Sequence, residues 1–108
     1  MSNIYFLKDR RNFPRFRVVQ PLTLRSPSAV FDEIAGQTKN VSGSGMLAAV
    51  PREVPTGIEV ELLFDMPTFG GENVYPVQCR GTVLRIEQSG EQFLLAVSFS
   101  KVDIIAKA

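Results

Sequence analysis

Apolar and polar residues alternate along much of this chain with a period near two, the spacing of a half-buried strand rather than a helix. In Ile58-Glu59-Val60-Glu61-Leu62-Leu63-Phe64, positions 58, 60, 62 and 64 share an apolar face and the two glutamates look the other way. Phe93, Leu95, Val97 and Phe99 repeat the pattern near the end. Further strands are predicted over Arg17–Arg25, Val30–Asn40, Met46–Val50 and Tyr75–Ile86. Turn chemistry separates them at Ser26-Pro27-Ser28, Pro51 to Gly57, Pro67 to Gly71 and Ser89-Gly90. Six short strands with no long helical stretch between them predict an all-β antiparallel barrel or sandwich. Val102 to Lys107 is read as a short C-terminal helical turn.

Composition narrows what such a barrel can do. The chain has 108 residues, 44% hydrophobic and 21% charged, which suits a single globular domain. Its longest apolar runs fall well short of the ~20 residues of a membrane helix, and its first residues do not read as a signal peptide. One cysteine, Cys79, excludes an intramolecular disulfide and fits a reducing cytoplasm. It reads as an inert thiol within a strand. Histidine is absent, which removes the usual general base near neutral pH and the commonest metal ligand. Asp and Glu are scattered singly apart from Asp32-Glu33, and neighbours on a strand face opposite ways. The chain therefore reads as a binding protein without a metal or cofactor, and not as an enzyme.

The net charge of +1 hides an asymmetry: Lys8, Arg10, Arg11, Arg15, Arg17 and Arg25 are half of the twelve cationic residues. Only Asp9 opposes them in that stretch, so an anionic partner is indicated. Within Arg10-Arg11-Asn12-Phe13-Pro14-Arg15, Pro14 excludes a helix interior and holds Phe13 extended. The arginines then sit on a loop leading into the first strand. Extended, Arg11 and Arg15 lie at most ~13–14 Å apart. Their planar forks suit phosphate, or the O6/N7 edge of guanine, better than lysine would. Pairing with carboxylates on the barrel is the other reading.

A second segment, Asn40-Val41-Ser42-Gly43-Ser44-Gly45, falls where one strand should end and the next begin. Small residues let a ligand approach the backbone, and glycine can take positive φ. Asn40 and Ser42, two apart, would point to one side of a strand edge. By itself the segment also reads as a plain turn. It is not a phosphate loop of the Gly-Lys-Ser/Thr kind, because a strand follows it rather than a helix.

Taken in order, the two segments resemble the PilZ family, whose pattern is Arg-x-x-x-Arg followed by Asp/Asn-x-Ser-x-x-Gly on a small barrel. Arg11 and Arg15 match the first motif, Arg10 gives the doubled arginine at its start, and Asn40, Ser42 and Gly45 match the second. The strands around Gly57–Val60, Gly81–Arg85 and Phe93–Phe99 look like the family's later strands. The resemblance implies a six-stranded antiparallel PilZ-like β-barrel that binds cyclic di-GMP. Arg10, Arg11, Arg15, Asn40, Ser42 and Gly45 would be its contacts, with Gly45 permitting the loop geometry. An Asp at position 40 would accept from both N1–H and N2–H of guanine, whereas Asn has one acceptor oxygen.

The expected organisation is one domain over 1–108: a flexible ligand-binding segment 1–16, a barrel 17–100 and a tail 101–108. Ligand would order the N-terminal segment over the barrel. With no second domain read from the sequence, output would pass through an effector protein or a homodimer in the bacterial cytoplasm. Two other functions stay open. One is a degenerate PilZ barrel that serves as a protein–protein adaptor. The other is a small barrel that stacks single-stranded nucleic acid on aromatics such as Phe6, Phe13 and Phe16. The small net charge and the confinement of basic residues to one end argue against DNA or RNA. Arg85 could flank the ligand site or simply be an exposed strand residue.

Overall fold

The computed structural model describes residues 16–67 and 74–105, which form one antiparallel sheet. Its strands are β1 (Phe16–Arg17), β2 (Pro21–Arg25), β3 (Ile34–Val41), β4 (Gly45–Val50), β5 (Glu59–Pro67), β6 (Val74–Ser89) and β7 (Gln92–Ile104). Their order is β1-β3-β2-β5-β6-β7-β4, and a β3–β4 pairing closes β2 to β7 into a six-stranded barrel. The two-residue β1 lies outside that ring, paired to β3. Closure removes the sheet edges that an open sheet would expose.

Period-two patterning fills the interior. Val60, Leu62 and Phe64 of β5 are buried, as are Leu22 and Leu24 of β2 and Leu95 and Val97 of β7. The connection after β4 folds Val54 back into the same core, leaving it 1% exposed. On the outside, Glu61 stands between Arg25 and Arg80, at 3.7 and 3.6 Å, and accepts a 2.7 Å hydrogen bond from Gln78.

Three local expectations change. The strand predicted over Arg17–Arg25 breaks at Val18–Gln20, because Thr38 of β3 intrudes. Its buried hydroxyl donates to the Val18 carbonyl and accepts from the Gln20 amide. The strand predicted from Val30 starts only at Ile34. Before it, Ala29 N–H donates to the Ser26 carbonyl and Val30 N–H to Ser26 Oγ, with Ala29 at φ 60. The C-terminal helical turn is a correction: Val102, Asp103 and Ile104 are strand, paired with Cys79, Gln78 and Val77. Long-range pairing to a sixteen-residue β6 overrides the weak local preference. Ile105 N–H goes on to donate to the Pro76 carbonyl at 2.9 Å, and 106–107 lie outside the described residues.

Candidate functional site

β3 ends in a β-bulge. Thr38 pairs with Ala48 and Asn40 with Leu47, so Lys39 is the extra residue. Without the bulge, the alternation that buries Thr38 would also bury Asn40 and expose Val41. With it, Val41 enters the core at 5% exposure and Asn40 is only partly buried. The bulge therefore delivers the Asn40 side chain to the outer face.

The chain then reverses through Ser42-Gly43-Ser44-Gly45. Ser42 N–H donates to the Gly45 carbonyl at 2.8 Å. Ser42 Oγ accepts from the amides of Ser44 and Gly45, each at 3.2 Å, and lies 3.2 Å from Ser44 Oγ. Ser42 thus acts as the internal brace of the turn, with its hydroxyl folded into it. Asn40 and Ser42 are close neighbours but do not share one strand face, because Ser42 lies past the strand end.

Gly45 matters for a reason other than turn flexibility. It is the first residue of β4, and a Cβ built on it would collide with the carbonyl oxygen of Val97 on β7. Absence of a side chain lets β4 and β7 close at the turn. Among the described residues the positive-φ glycines are Gly57 and Gly90, in other turns.

The register also brings the chain that follows the arginine motif to the second motif. β1 pairs Phe16 with Val41 and Arg17 with Asn40. The backbone immediately after Arg15 is therefore stitched to the Asn-x-Ser motif. Thr38 fixes the next turn of chain through Val18 and Gln20. Arg10, Arg11 and Arg15 themselves lie outside the described residues, as does the rest of the proposed flexible segment 1–16 apart from Phe16, which is strand.

Beside the turn lies a groove of about 250 Å³, bordered by Ser42, Ser44, Leu47, Leu84, Arg85 and Ser98 among others. Arg85 borders this groove, as does Leu84, which the sequence had not singled out. The signal was present: Val83, Leu84 and Ile86 break the apolar alternation, as a bulge does. Away from the groove, burial pushes the Cys79 thiol up to about 12, with a smaller push from Asp103. Among the described residues no cluster of His, Cys, Asp or Glu suits a metal ion. None of them forms a helix long and apolar enough to cross a membrane.

A closed six-stranded antiparallel barrel with a braced small-residue turn at the start of β4 defines the class. The family model described as PilZ domain matches residues 9–108, and the chain belongs to that family. Its members are binding or adaptor modules rather than enzymes. Among solved structures it is similar to the Bacillus subtilis inhibitor of motility (MotI/DgrA), with a TM-score of 0.74 and 18% sequence identity. That match covers 89% of this chain and 45% of the other, so this chain spans under half of that protein's length. No curated protein matches in sequence.

Proposed function

We propose that this domain is a cyclic di-GMP receptor module that passes its signal to an effector protein in the bacterial cytoplasm. The observation that supports this most is the β1–β3 pairing of Phe16 with Val41 and Arg17 with Asn40. It starts the arginine segment beside the Asn40–Gly45 turn, so both halves of the family motif can reach one ligand. Arg11 and Arg15 supply forks for phosphate and guanine, and Arg10 adds charge or stacks on a base. Asn40 presents its amide to the same ligand, while Ser42 and Gly45 hold the turn in shape. Ligand bound between the segment and the turn orders residues 1–16 and changes the surface that the effector meets.

Calorimetric titration of the chain with cyclic di-GMP tests the reading. Saturable heat that Arg15→Ala abolishes supports it, and no heat at tens of micromolar ligand defeats it. That second outcome favours the adaptor reading, which has its own observation. β4 pairs with β7 only as far as Ser98, so Lys101–Ile104 pairs with β6 alone among the described residues. Val102 and Ile104 there are 47% and 63% exposed, an edge suited to a partner protein or a second copy.

A further inference from the structure

β6 carries a second bulge, and it faces the same groove. Val77, Cys79, Gly81 and Val83 alternate into the core. Continued alternation would bury Arg85. Instead Val83 pairs with Val97 and Arg85 with Ala96, leaving Leu84 as the extra residue. Leu84 and Arg85 both turn outward, and Leu84 is 60% exposed.

The register fixes what lies opposite. Ala96 of β7 pairs with Leu47 of β4 on one side and with Arg85 of β6 on the other. Two strand spacings, roughly 9–10 Å, therefore separate the β4 wall from the β6 wall. The floor between them is the small outward pair Ala96 and Ser98. Arg85 forms no ion pair with any described residue, whereas Arg25 and Arg80 each meet two glutamates. Leu84 and Arg85 thus stand side by side on the groove's border, an apolar surface next to a guanidinium that no described carboxylate engages.

We infer that Leu84 and Arg85 form the second wall of the nucleotide site. Leu84 supplies an apolar platform for a base. Arg85 supplies a fork for two adjacent acceptor atoms of the same nucleotide, either phosphate oxygens or a guanine O6/N7 edge. This rests on the cyclic di-GMP reading and adds a wall that lies outside both sequence motifs.

The test is calorimetric titration of cyclic di-GMP into the wild-type chain and into Arg85→Ala, Arg85→Lys, Leu84→Ser, Ala96→Leu and Arg80→Ala. Arg85→Ala is expected to weaken binding about tenfold to a hundredfold. Leu84→Ser weakens it several-fold, and Ala96→Leu obstructs the floor and weakens it comparably. Arg80→Ala, on the same strand but outside the groove, binds as wild type. Recovery with Arg85→Lys assigns the contact to phosphate, because a point charge suffices there; no recovery assigns it to the paired base edge. Leu84 and Arg85 are outward-facing, so unchanged melting temperatures accompany these losses. Wild-type affinity in Arg85→Ala and Leu84→Ser would overturn the inference and leave the receptor reading standing. No binding by the wild-type chain would defeat both.

Discussion

Gly45 at the head of β4 lies against the carbonyl of Val97 on β7, so close that no side chain fits between them. This contact joins the fold to the site, because the turn that carries Ser42 closes directly onto β7. Gly45→Ala must push β4 away from β7 or distort the turn. We expect a loss of about 1–3 kcal/mol in denaturant unfolding, as for other overpacked positions. Weaker cyclic di-GMP binding should accompany it.

Thr38 is a second point where one side chain holds the site together. Its hydroxyl accepts from Gln20 N–H and donates to the Val18 carbonyl, in a fully buried position. Thr38→Val keeps the shape but removes both hydrogen bonds. The buried amide and carbonyl left behind should cost about 1–3 kcal/mol. Amide hydrogen exchange at Gln20 should accelerate, because that N–H loses its acceptor.

Asn40 differs from the aspartate that the family pattern also allows. Asn40→Asp gives a second acceptor oxygen for the N1–H and N2–H pair of guanine. Titration with cyclic di-GMP should show tighter binding by roughly three- to tenfold. Equal or weaker binding would place Asn40 away from the guanine edge.

Cys79 is buried and its thiol titrates at about 12 in place of 9.0. The folded state thus holds the proton at pH values where the unfolded chain releases it. Its contribution to stability is complete below pH 9 and disappears as pH rises from 9 toward 12. Alkaline unfolding followed in wild type and Cys79→Ala should show a steeper decline for wild type across that window. Thiol-specific alkylation at pH 8 should proceed only on unfolding.

Ala29 holds a left-handed backbone, φ 60, in the turn between β2 and β3. A Cβ is unfavourable there, and glycine avoids the penalty. Ala29→Gly should leave stability unchanged or raise it by up to about 1 kcal/mol, as read by thermal unfolding. Within a strand the same change would destabilise.

Much of this was legible in the chain. Alternation in Ile58–Phe64 and Phe93–Phe99 marks core-facing and solvent-facing positions, since a strand has only two faces. Pro14 and the Ser/Gly run at 42–45 show where the chain cannot be helical and where it turns. The ordered arginine and Asn-x-Ser-x-x-Gly segments identify the family. What local pattern could not decide is where alternation slips. The bulges at Lys39 and Leu84 depend on how β3 and β6 register against β4 and β7, which only barrel closure sets. Those slips send Asn40 and Arg85 to the outer face, and the β4–β7 register gives Gly45 its role as a contact with Val97 rather than a flexible joint. The C-terminal residues follow the same logic, since Val102–Ile104 is strand only because β6 extends beside it. Side-chain type and spacing thus determined the fold class and the motifs. Long-range strand register, a property of the closed barrel, decided which of those side chains share a groove.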